Sequence, residues 1–175
     1  MTLQELLTKK RDYLLQDWED ILLGEYQGDT IRIFKKQKNQ FANPIGYKTR
    51  VGLAELYDVV CDESDEEVLT PDLSQFLKVR AVQPISPSQA VAFVFAIKDL
   101  VAAECEKEGM DTLYVEFLAF CARVDAAALA VFDIFAQSRE QLNKARYDEL
   151  KTGRNLIVEG SVCSSKLVRD NSKKD

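Results

Sequence analysis

The sequence predicts an all-α fold, and three observations carry that prediction. Thr2-Leu3-Gln4-Glu5 and Ser86-Pro87-Ser88-Gln89 are both capping boxes: a hydroxyl accepts from the backbone N–H three residues on, and a Glu or Gln side chain answers the cap's own N–H. Behind both boxes the apolar residues recur at steps of three and four, the period of one helix face. Nowhere does apolar and polar alternation run long enough to build a sheet.

From Thr2 the positions Leu3, Leu6, Leu7, Leu14, Trp18, Ile21 and Leu22 carry a first helix to about Leu23, with Gly24 and Gly28 framing its exit. Asp29 or Thr30 caps a short helix through about Lys38. Phe41 to Tyr47 reads as a turn, because Asn43 precedes Pro44 and Gly46 follows closely. A third helix then spans Lys48 to Val60 with Val51, Leu56, Val59 and Val60 inward, and the acidic run Asp62 to Glu67 is a solvated loop. Thr70-Pro71 opens a fourth helix that ends before Pro84.

Ser86 caps the fifth helix and Pro87 takes its first helical position. The run that follows, AVAFVFAI, is apolar nearly all round, which belongs in the middle of a packed bundle. The last helix begins at an Asp111 cap and keeps a stripe of Tyr114, Phe117, Leu118, Cys121, Val124, Ala128, Phe132, Phe135 and Leu142 to about Leu150, where Lys151 and Gly153 stop it. Such a helix of about 40 residues would be roughly 60 Å long, so it either breaks or leaves the body of the domain. On its charged end, Gln137 to Lys151, a strip of Leu142, Ala145 and Leu150 calls for a partner. The organisation expected is one helical domain over residues 1–152 and a flexible polar tail over 153–175.

Composition excludes several function classes. With 23 basic against 29 acidic residues and a net charge of −6, the chain lacks the basic footprint that phosphate backbones require. No uninterrupted apolar run reaches the roughly 18 residues of a membrane span, so a cytoplasmic protein without membrane insertion is expected. Cys61, Cys105, Cys121 and Cys163 form no Cys-x-x-Cys pair, which argues against a zinc site. Cys105 and Cys121 read as small core hydrophobes, Cys61 as a poor nucleophile beside its acidic run, and Cys163 as an exposed thiol. There is no histidine, the usual acid/base at neutral pH and the usual haem or zinc ligand. No catalytic residues, metal or cofactor are therefore assigned.

Three patches in order, Lys78 to Lys98, Asn43-Pro44-Ile45-Gly46-Tyr47, and Phe132-Asp133-Ile134-Phe135 followed by Ser138-Arg139-Glu140, resemble the RsbRD N-terminal domain family. The resemblance runs from about Leu6 to about Arg154. That family comprises RsbT co-antagonists, the sensory subunits of the bacterial stressosome. It implies a globin-like bundle of about six helices without haem, a dimer, and a long C-terminal helix leading to a STAS domain that binds partner kinases. About 20 residues follow the long helix here, too few for a STAS domain, so the expectation is the sensory half acting by itself. Similar stand-alone proteins occur in anaerobic sulfate-reducing bacteria beside genes of a membrane complex that feeds sulfite reductase. An accessory role in such sulfur-metabolism electron transfer is the second context implied.

Asn43, Tyr47, Arg80, Gln83, Ser86 and Gln89 are the polar members of these patches, and the first four are the candidate ligand-binding residues. Against that stand a turn role for Asn43, a carboxylate pair for Arg80, and capping for Ser86 and Gln89. Phe93, Phe95, Phe132 and Phe135 either line a pocket or fill the core, and aromatics at helical spacing favour the core. Candidate partner-binding residues are Arg139, Glu140, Leu142, Arg146, Tyr147 and Arg154 on the last helix and tail. The function expected is a non-enzymatic regulatory module, a homodimer signalling to an unidentified protein partner through its last helix. The alternative is a redox or haem-dependent sensor with Cys, Met or Tyr in place of the missing histidine, which a Soret band would reveal.

Overall fold

A computed structural model describes residues 1–24, 41, 43–61 and 71–152. The fold is all-α, with five helices among the described residues: α1 (Leu3–Gly24), α2 (Pro44–Cys61), α3 (Pro71–Val82), α4 (Pro87–Glu108) and α5 (Met110–Lys151). The short helix expected to end near Lys38, the acidic run after Cys61 and the tail with Cys163 and Arg154 lie outside the described residues. The chain divides into two compact units, Met1–Ser138 and Arg139–Asp175.

Capping starts the helices where the sequence places it. The Glu5 N–H donates to Thr2 Oγ1 at 3.2 Å and the Thr2 N–H to Glu5 Oε2 at 3.0 Å. A carboxylate from α5 adds to this: the Leu3 N–H donates to Glu116 Oε2 at 2.6 Å, placing negative charge at the positive end of the α1 dipole. At α4 the Gln89 N–H donates to Ser86 Oγ and the Ser86 N–H to Gln89 Oε1, with Pro87 in the first turn. Ser86→Ala is expected to cost about 1 kcal/mol, read from the urea midpoint at an unchanged slope.

Two helix starts differ from the sequence reading. The segment expected as a turn is already helix from Pro44, because Asn43 is a cap: its Oδ1 accepts the Gly46 N–H at 2.9 Å and its carbonyl the Tyr47 N–H at 3.0 Å. Gly46 sits there because a Cβ would fall 2.2 Å from the Asn43 amide nitrogen. The last helix begins at Met110, not after an Asp111 cap. Gly109 takes the left-handed conformation at φ 106° to end α4, and Asp111 lies in the first turn of α5.

The core is built on α1. Leu3, Leu6, Leu7, Leu14, Trp18 and Leu22 are buried together with Leu53, Leu56 and Val60 of α2, Leu73, Phe76 and Leu77 of α3, and Phe93, Val94, Ile97 and Val101 of α4. Trp18 Nε1–H donates to the Phe93 carbonyl at 2.7 Å, and the Phe93 ring meets Trp18 at 6.3 Å and the edge of Phe76 at 5.7 Å between centroids. α2 and α3 pack closely because Gly52 faces Phe76, where a Cβ would stand 2.8 Å from that residue's Cβ. From α5, Arg123 Nε donates to the Val60 carbonyl at 3.0 Å, a cation at the negative end of α2.

Candidate interaction surface

Of the candidate ligand residues, Asn43 and Arg80 have side chains engaged in architecture. Asn43 is buried and caps α2, and Tyr47 is partly exposed on its first turn. Arg80 is 1% exposed on α3, with Nε donating to the Ala90 carbonyl at 3.3 Å and Nη2 to the Gln89 carbonyl at 3.1 Å. Its guanidinium lies 5.0 Å from the centroid of the Phe93 ring. Arg80 therefore ties α3 to the first turns of α4. Gln83, just past α3, donates its N–H to the Arg80 carbonyl.

Two clefts open beside α1. One, about 310 Å³, is lined by Gln4, Leu7, Thr8, Arg11, Tyr57, Asp58 and Cys61. Its polar groups serve one another: Arg11 Nη2 stands 2.9 Å from both Asp58 oxygens, and the Tyr57 hydroxyl donates to the Leu7 carbonyl at 2.9 Å. Burial, above all, pushes the Cys61 thiol up to about 12, so a thiolate is disfavoured there. The second, about 220 Å³, contains the Arg50–Glu19 ion pair at 2.8 Å.

Among the described residues one carboxylate is buried. Glu104 of α4 accepts from Lys107, and Lys10 of α1 lies 3.0 Å from Oε2. That oxygen faces the Lys10 ammonium in an ion pair. The Lys107 hydrogen bond holds the Glu104 carboxyl below its ordinary value of 4.5, against the effect of burial. A folded-state value below the unfolded one means stability fully present above 4.5 and lost as pH falls through the folded value. Unfolding free energy should therefore drop on acidification, and Glu104→Gln should drop less steeply in parallel urea titrations.

The face that sequence reasoning missed is apolar and exposed. The core side of α5 carries Leu113, Phe120, Val124, Ala127, Ala128, Val131, Ile134 and Phe135. The expected stripe mixed this phase with a second one: Tyr114, Leu118 and Phe132 are exposed, together with Val115 at 80% and Leu129 at 70%. Tyr114, Leu118, Cys121, Asp125, Leu129, Phe132 and Ala136 follow one another at steps of three and four, so they share one side of the helix. On α4, Phe93 is core as expected, whereas Phe95 is exposed. Lys98 joins the two helices, its Nζ 2.5 Å from Asp125 Oδ1 and 5.5 Å from the Phe95 ring centroid. A count of apolar residues in α5 beyond what one face can hold was the signal available in the sequence.

At the far end of α5, Glu140, Arg146 and Tyr147 are exposed, Arg139 and Leu142 are half-buried, and Leu150 is 68% exposed. The expected strip of Leu142, Ala145 and Leu150 divides, because five residues from Ala145 to Leu150 turn the helix by about 140°. Among the described residues no helix is long and apolar enough to cross a membrane, and no group of three or more Cys, Asp or Glu residues is placed to hold a metal ion.

A family model described as the RsbT co-antagonist protein rsbRD N-terminal domain matches residues 12–150. No curated protein and no solved structure matches the chain.

Proposed function

The chain belongs to the RsbT co-antagonist protein rsbRD N-terminal domain family, a family of regulatory sensor domains, and from that premise we propose that it works without catalysis, by protein–protein contact, as a homodimer. One observation carries this reading: the exposed strip Tyr114, Val115, Leu118, Leu129 and Phe132 on α5, continued by Phe95 of α4. Large apolar side chains grouped on one face mark an interaction site. Lys98 and Asp125 are paired on this face within one chain, and a two-fold rotation, the commonest symmetry of soluble oligomers, would bring two such faces together. The exposed Glu140, Arg146 and Tyr147 then offer contacts to a separate protein partner, with Arg139 and Leu142 beside them in sequence.

Cys121 reports on this face, being half-buried within the strip while Cys61 and Cys105 are buried. Alkylation of Cys121, followed by peptide mass spectrometry, should be slower at about 100 μM than at about 1 μM protein, as mass action on a dimer requires. A rate independent of concentration counts against self-association through α5.

A further inference from the structure

We infer that association through the α5 face is gated by ionic strength, because carboxylates surround the apolar strip and two copies would bring them together; this rests on the homodimer reading above. Asp125 stands inside the strip with its side chain 57% exposed. Asp111 comes three residues before Tyr114 and seven before Leu118, and Asp133 comes four after Leu129, spacings that put both on the same side of the helix. Both are exposed, as is Asp99, four residues after Phe95 on α4. The Cys121 thiol senses these neighbours: burial raises it above its ordinary value, Lys98 lowers it, and Asp125 and Asp99 raise it. Asp99 therefore acts on the strip as Asp125 does.

Cations do not balance these acids. Lys98 Nζ is already bonded to Asp125 Oδ1 at 2.5 Å. Arg123, the cation of α5 within Met1–Ser138, turns to the Val60 carbonyl, and Lys107 of α4 bonds Glu104. A surplus of carboxylate is left on each face, and stacking two such faces sets like charges against one another, which opposes binding and slows encounter. That repulsion reaches only as far as salt allows, because the screening length falls from roughly 30 Å at 0.01 M to about 10 Å at 0.1 M. Apolar contact is not weakened by the same screening. The dimer should tighten as salt rises, the reverse of an interface held by ion pairs between copies.

Sedimentation velocity on the whole chain, in sodium chloride from about 0.01 to about 0.3 M, tests this. The dissociation constant of the wild type should fall about tenfold or more across that range. Asp99→Asn with Asp133→Asn leaves the Lys98–Asp125 pair and the first turn of α5 untouched. That variant should associate more tightly at low salt and change by less than about threefold over the range. A wild-type constant that stays flat or rises with salt overturns the inference while leaving the homodimer standing, as does a double variant with the wild-type slope. Chains that stay monomeric at every salt concentration, wild type and variant alike, overturn both.

Discussion

Leu129→Asp is expected to convert the proposed homodimer to monomers, with helical circular dichroism and melting temperature close to those of the wild type. Leu129 is 70% exposed, so in a single chain the new carboxylate stays in water and the fold is unaffected to within about 0.5 kcal/mol. Under a second copy the same carboxylate displaces an apolar contact and is buried without a partner, and such central positions cost about 2 kcal/mol or more when disrupted. Dissociation should therefore strengthen by a factor of about thirty or more, measured by dilution in light scattering. Leu142→Asp is the informative control. Leu142 follows Phe135 and Ser138 at steps of seven and four, the phase of the core and not of the strip. Its substitution should leave the dimer largely intact; the reverse ranking would move the interface to the charged end of α5.

Arg80→Ala is expected to cost about 3 kcal/mol of stability, the largest effect among the polar residues of the family-like patches. The side chain fills space against the Phe93 ring and bonds the carbonyls of Gln89 and Ala90. Truncation leaves a cavity and strips a charge-assisted donor from both carbonyls. Arg80→Lys should recover little, because an ammonium lacks the planar fork that reaches two acceptors while stacking on a ring. A variant that keeps full thermal stability would return Arg80 to the list of ligand residues.

Local signals in the sequence were read well where one rule applied at a time. Thr2 with Glu5 and Ser86 with Gln89 have capping partners within one turn, so spacing alone reveals them. Asn43-Pro44 follows the same grammar as Ser86-Pro87, but Gly46 close behind it suggests a turn, whereas its role is to leave room for the Asn43 amide. The phase of α5 was harder to read. Both of its sides are apolar, and periodicity shows that a face exists without showing which face meets the core. Glu104 was illegible for another reason, since its burial depends on Lys10 reaching across from α1. Nothing in the composition around Glu104 distinguishes it from the exposed Glu106 and Glu108 nearby.

The central claim is that the α5 face holds two copies of the chain together. Light scattering in line with size exclusion, run from about 1 to 100 μM, measures this directly. The account predicts a species of twice the 19.8 kDa chain mass that dissociates on dilution and is lost in Leu129→Asp. A wild type that elutes at 19.8 kDa throughout that range contradicts it.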